Sequence, residues 1–176
     1  MGNEQPRQER STKSRRGPRE GSTEREPPGI VIREFALEDY DEVLALWLGA
    51  GPGVDRRPSD ERDQVTLKIE RDPDLFLVAT LGGRIVGAVM GGFDGRRAYV
   101  YHLVVVHDLR RRGVGGALMD ELEERLRRKG ALKAKCQIFT HNEASLAFFR
   151  QRGWDIEDGL WPVGKWLGGP VDDSPC

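Results

Sequence analysis

Cysteine is scarce in this chain, and its placement excludes a disulfide framework. Only Cys136 and Cys176 occur among 176 residues. The first stands inside an alternating, strand-like stretch and the second at the last position, so a structural pairing is not expected and a reducing cytoplasm is the expected compartment. Net charge is equally spare: 28 basic against 29 acidic residues leave −1, with a pI near 6.3. That balance argues for neither a nucleic-acid nor a membrane partner, so any basic site has to be local. Long apolar runs are missing as well: no stretch is suited to span a bilayer, and the N-terminus lacks the pattern of a secretory signal. Residues 1–28 carry almost no apolar side chain, too few to repay the entropy of ordering, and are expected to form a disordered tail. Residues 169–176 read as a short frayed end. What remains, 29–168, is rich enough in the 38% hydrophobic content for one domain with its own core.

Against this neutral background one stretch concentrates charge. In "VVVHDLRRRGVGG", Val104 to Gly116, an apolar run ends in three arginines and a glycine-rich turn. The segment that follows, from about Gly113 to Lys129, is predicted to be helical: Val114, Leu118, Leu122 and Leu126 recur every four residues with Ala117 and Met119 beside them. Glu121, Glu123 and Glu124 each precede an arginine by four, the favourable order for helical ion pairs, and Gly130 suits the left-handed stop. A helix N-terminus presents unpaired N–H groups and about half a positive charge, so acids normally gather there. Arg110, Arg111 and Arg112 stack like charge on like, with only Asp108 near in sequence to offset them. An anion completes the arrangement: Gly113, Gly115 and Gly116 let the backbone approach, and the arginines supply counter-charge. A phosphate or pyrophosphate is the natural occupant, set against the plainer reading of a solvated basic turn.

The nucleotide motifs do not fit this turn. A P-loop needs Gly-Lys-Ser or Gly-Lys-Thr where Ala117 and Leu118 stand, and the dinucleotide fingerprint needs glycine at Leu118. The next strand also ends without the ribose-binding acid. What the residues do match is R-x-x-G-x-G at Arg110, Gly113 and Gly115. Here the chain resembles the GNAT superfamily of acyl-CoA-dependent N-acyltransferases, whose pyrophosphate loop has this pattern between a strand and a helix. Downstream, "NEASLAFFRQRGW" is similar to the family's Asn-x-x-Ala-x-x-x-Tyr-x-x-x-Gly-Phe helix, and "IVIREFALEDYDEVLALW" looks like its first strand and helix. Within the superfamily the likeness is to the YpeA-like branch, near the ribosomal-protein N-terminal acetyltransferases.

The predicted order of elements agrees with that resemblance. A strand "IVIREF" leads to a helix facing inward with Leu37, Tyr40, Leu44, Trp47 and Leu48, then a loop and a helix from Asp60 that stops at Asp72, before Pro73. Strands "LFLVATL" and "RIVGAVMGGF" flank the hairpin glycines Gly82 and Gly83, and "AYVYHLVVV" feeds the arginine loop. After the long helix come "LKAKCQIFT", with Leu132, Ala134, Cys136 and Ile138 alternating inward, a short helix after Asn142, and "WPVGKWL" as a closing strand. The succession β-α-α-β-β-β-α-β-α-β-β gives an α/β fold, a mixed sheet covered by helices.

The resemblance carries implications for the site. It implies acetyl-CoA as acyl donor, an amine as acceptor (a protein N-terminus, a lysine or a small amine), no metal, and a monomer or homodimer. The backbone of Leu103, Val104 and Val105 would bond the pantetheine amides, and one amide there would polarise the thioester carbonyl. The loop from Arg110 through Arg112, Gly113, Val114, Gly115 and Gly116 would hold the pyrophosphate, and Asn142 would lie near the pantetheine while capping its helix. The family's proton-donating tyrosine is replaced by Phe149, which would line the acyl pocket. Substitutes are Tyr99 and Tyr101, which alternation places on the face of Leu103. His102 falls on the opposite face unless the bulge that the family has in this strand turns it. The rival to catalysis is an acyl-CoA-binding module without turnover. His107, Asp108 and His141 match no zinc spacing, and Asp155, Glu157 and Asp158 hint at a cationic acceptor.

Overall fold

The computed structural model describes residues 29–51, 54, 57–165 and 167; the tails expected at 1–28 and 169–176 and the domain limit at 168 lie outside them. One five-stranded sheet carries the architecture. Its strands are β1 (Ile30–Glu34), β2 (Phe76–Leu81), β3 (Arg84–Phe93), β4 (Ala98–Val105) and β5 (Ala134–Cys136), laid side by side in chain order. All neighbours are antiparallel except β4 and β5, which run parallel. The β2–β3 hairpin turns on Gly82 and Gly83, both with positive φ, the geometry that matches the strand twist and that side chains with a Cβ resist.

Helices cover both faces. α1 (Tyr40–Leu48) and α2 (Arg62–Arg71) pack on one through Tyr40, Val43, Trp47 and Val65. On the other lies α3 (Val114–Arg128), whose stripe of Val114, Leu118, Leu122 and Leu126 is buried as the sequence predicts. Beside it sits α4 (Glu143–Gln151), held by Arg152 to Asp120 and by the Trp154 indole N–H to Glu123. With both faces covered, most of β2 and β3 is buried, which explains their nearly continuous apolar runs.

Departures from the sequence reading concern exposed or short pieces. On α1 Tyr40 and Trp47 face inward as expected and Val43 joins them, while Leu48 is 64% exposed. β5 spans only Ala134–Cys136, and Leu132 lies before it, almost fully exposed. No strand follows α4 among the described residues, so the last two strands of the expected order do not form there. Pro162 removes a ladder donor in "WPVGKWL", and Trp161, Val163 and Leu167 are each more than 90% exposed with no burial to fix a register.

Candidate active site

The parallel pair opens the site. β4 is bonded to β5 only from Ala98 to Val100, opposite Ala134 to Cys136, yet β4 itself continues to Val105. Beyond Val100 its edge away from β3 has no strand partner among the described residues. Buried or half-buried peptide groups seek a partner, so the stretch with Leu103, Val104 and Val105 can accept an extended, amide-bearing chain in the gap.

At the far end of β4 the backbone forms the anion cradle that the arginine run predicts. The single 3₁₀ turn His107–Leu109 leads into Arg111 at φ +57 and Gly113 at φ +84, two left-handed residues that coil the chain into α3. The first intrahelical bond runs from the Ala117 N–H to the Gly113 carbonyl, leaving the N–H groups of Val114, Gly115 and Gly116 without intrahelical acceptors. No acid stands in this first turn. A Cβ on Gly115 would meet Val105 Cγ2 at 3.6 Å and the Phe148 ring at 3.7 Å, so the glycine keeps a narrow lane open beside β4. In front lies an open hollow of about 760 Å³ lined by His107, Asp108 and the three arginines. Orphan amides, a helix dipole and flanking guanidinium groups fit a diphosphate.

The arginines divide their work. Arg110 turns its guanidinium onto backbone, donating from Nε to the Val105 carbonyl at 3.0 Å and from an Nη to the Ala50 carbonyl at 3.2 Å, and so ties the end of α1 to the end of β4. Arg111 and Arg112 are exposed and make no side-chain bond among the described residues. Counter-charge thus falls first to Arg111 and Arg112. Arg110→Ala is expected to weaken acetyl-CoA binding by less than about tenfold, and Arg111→Ala/Arg112→Ala together by more, since each charge-assisted bond contributes about 1.5–3 kcal/mol; calorimetric titration of the two variants checks the order.

The middle of β4 contains the feature that alternation alone misplaces. Met90 pairs with Tyr101 but Ala88 pairs with Val104, so β4 has one residue more than β3 across this interval. The extra residue is a β-bulge, and His102 sits in it at φ +49. Before the bulge, Ala98 and Val100 face α3; after it, Leu103 and Val105 do, and Val104 joins the α1–α2 cluster. Leu103 therefore does not share a face with Tyr99 and Tyr101. His102 does: its ring lies 4.8 Å from that of Trp47 of α1, tilted at 44°. Tyr101 lies over Gly92 on that face, its ring 6.0 Å from Tyr99. Burial, with Tyr99 beside it, pushes the Tyr101 hydroxyl above the usual phenol range, which keeps it a proton donor at neutral pH.

Sequence reasoning missed Asp60. It ends the 3₁₀ turn Pro58–Asp60 before α2, and its buried carboxylate places Oδ1 2.8 Å from His102 Nε2. The Arg57 N–H donates to its other oxygen at 2.8 Å, and the Tyr40 hydroxyl donates to its carbonyl at 3.0 Å. In the sequence Asp60 is only the first residue of a predicted helix, which carries no pointer to a histidine partner.

The remaining candidates have structural duties. Asn142 caps α4, its Oδ1 accepting from the Ser145 N–H at 3.0 Å. Phe149 is buried edge-on against Phe148 and Trp154, and has no proton to give. Burial pushes the Cys136 thiol up to about 11, which removes it as a nucleophile. Glu157 is bonded by Lys133 and, at 2.6 Å, by Lys135, which hold its carboxyl at about 2; with two lysines on one acid, the hint of a cationic acceptor there weakens. His107 meets Asp108 at 3.3 Å and His141 stacks on Phe139, and no cluster suited to a metal occurs among the described residues. No described helix is long and apolar enough to cross a membrane.

Known proteins resemble this chain in sequence and fold. Residues 32–154 match the Acetyltransferase (GNAT) family. An acetyltransferase of Sodalis glossinidius is 35% identical over 138 residues, covering 78% of this chain and 96% of that protein, and one of Yersinia enterocolitica is 36% identical over the same shares. Among solved structures, Ard1 from Thermoplasma volcanium superposes with a TM-score of 0.65 at 25% identity, over 73% of this chain and 84% of that one. The PaiA N-acetyltransferase from Thermoplasma acidophilum, solved in complex with coenzyme A, gives 0.66 at 19% over 73% and 91% and supports the fold alone. The chain belongs to the GNAT family and is an acetyltransferase that draws its acyl group from acetyl-CoA.

Proposed function

We propose that the enzyme acetylates a primary amine, with His102 as the group that takes the proton from the attacking nitrogen. The observation that carries this reading is the bulge, which turns His102 onto the half-exposed face of Tyr101 beside the unpaired edge of β4. Acetyl-CoA supplies an activated acyl group: a C–N bond forms while the C–S bond breaks, and the electron pair leaves on sulfur. The chain's own contribution is threefold. The edge of β4 that β5 leaves open along Leu103 to Val105 orients the acyl arm, and an N–H there polarises its carbonyl. The imidazole receives the proton that the amine must lose. Tyr101, kept protonated, returns one to the departing thiolate.

The acceptor class follows from what arrives unprotonated. At pH 7.5 roughly a third of α-amino groups are free base against about one in 800 lysine side chains. N-terminal amines are therefore the preferred acceptors, and lysine or small amines the slower ones. Free-thiol release from acetyl-CoA, measured with an α-amino peptide, an Nα-blocked lysine peptide and a diamine, tests this. Faster release with the first is expected; no amine-dependent release from any of them overturns the reading. His102→Gln is expected to lower kcat by about 10²-fold or more with acetyl-CoA affinity unchanged, within the range general bases contribute; an unaltered kcat removes His102 from this role.

A further inference from the structure

Resting on that role for His102, we propose that Asp60 is a positioning residue for the proton transfer. It holds the imidazole as the Nε2–H tautomer, so that Nδ1 presents the lone pair to the acceptor amine. The two residues are 42 positions apart and meet through the fold alone, from the turn ahead of α2 to the bulge of β4.

The geometry constrains both partners. A carboxylate offers acceptors only, so a 2.8 Å contact between Asp60 Oδ1 and His102 Nε2 requires the hydrogen on Nε2. Asp60 cannot swing away at low cost: its side chain is 5% exposed, Oδ2 is held by the Arg57 N–H, and its carbonyl by the Tyr40 hydroxyl, whose ring lies under the Arg62 guanidinium at 4.4 Å. The Trp47 ring packs against the imidazole at 4.8 Å and restricts its movement. Nδ1 has no hydrogen-bond partner among the described residues, while the histidine side chain remains 19% exposed. Its φ of +49 is uncommon for a residue with a Cβ and is set by the bulge. A partner that orients one nitrogen and an accessible second nitrogen make a directed proton acceptor.

In the step itself the amine nitrogen forms its bond to the acyl carbon as the carbon–sulfur bond breaks. The proton lost by nitrogen passes to Nδ1, giving an imidazolium that Asp60 stabilises, and leaves from Nδ1 to solvent, while the thiolate takes its proton from Tyr101, which solvent restores. Asp60 acts through His102 and touches neither reacting atom.

Asp60→Asn tests this without emptying the space. The amide keeps an acceptor for the Arg57 N–H but turns N–H donors toward His102 Nε2, which forces the hydrogen to Nδ1. Long-range proton–nitrogen NMR on the full chain labelled in its histidines, with His102→Gln to assign the signal, is expected to show Nε2–H in the wild type and Nδ1–H in Asp60→Asn. The same variant is expected to lose about 10²-fold in kcat with acetyl-CoA affinity held. A wild-type signal from the Nδ1–H tautomer overturns the proposal even if no variant folds. A sensitive His102→Gln beside an Asp60→Asn of full rate overturns it while sparing the role of His102; an insensitive His102→Gln overturns both.

Discussion

The Gly115→Glu variant is expected to bind acetyl-CoA about 10²- to 10³-fold more weakly while melting at or above the wild-type temperature. The two halves of this result have one cause. Gly115 lies in the first turn of α3, where three N–H groups have no intrahelical acceptor and no acid is present. A carboxylate at that position answers the same amides and the same dipole that a diphosphate would, stabilising the free enzyme by about 0.3–1 kcal/mol. It then occupies the cradle with the wrong ligand: the incoming phosphates lose amide bonds of about 1.5–3 kcal/mol each and meet a like charge. The substitution is tolerated locally because Gly115 is not left-handed and its Cβ would sit at ordinary contact distance from Val105 and Phe148. Gly113 is the poorer place for the test, since φ of +84 penalises any side chain and confuses strain with charge. Calorimetry and a thermal melt on the same preparation decide the matter. Undiminished affinity removes the cradle assignment, and a large fall in melting temperature means that the variant reports on folding instead.

The legibility of this site in the sequence tracks how local its causes are. α3 and its loop are written within a short window: periodic leucines, acids four before arginines, and three arginines where acids belong. The structure keeps two of the three expected pairs, Arg125 on Glu121 at 2.7 Å and Arg127 on Glu123 at 3.3 Å, while Glu124 turns to Arg127 at 2.9 Å instead of Arg128. The role of Arg110 is different, because its carbonyl partner Ala50 lies 60 positions away and no pattern along the chain announces it. His102 shows the same limit more sharply. Strict alternation assigns it to the face opposite Tyr101, and only the register against β3 shows that one residue is inserted there. Asp60 then becomes visible, since an acid at the start of a predicted helix is ordinary until a histidine is known to point at it. At the other end, "WPVGKWL" has strand-like residues, but strand formation needs a partner edge, and β5 is too short among the described residues to supply one.

The placement of α3 itself depends on a contact that gives the second large effect: Leu122→Ala and Gly91→Ala are each expected to destabilise the fold, and together by less than their sum. Leu122 is fully buried, so its truncation costs about 2–5 kcal/mol. Gly91 lies beneath it on β3, where a new Cβ would fall 2.6 Å from Leu122 Cδ1, a distance the side chain cannot keep, so Gly91→Ala overpacks the interface by about 1–3 kcal/mol. In the double variant the alanine methyl enters the space that Leu122 vacates, and a favourable coupling of about 1 kcal/mol or more is expected from urea denaturation of all four proteins. Recovery stays incomplete, because the same Cβ is also 3.3 Å from the Leu75 carbonyl, which accepts the Gly91 N–H and does not move with Leu122. Strict additivity would mean that α3 does not rest on Gly91 as described. Acetyl-CoA affinity separates packing from function in this series: Leu122 lies about two turns beyond the orphan amides of α3, so variants that remain folded keep the cradle and bind the donor nearly as the wild type does.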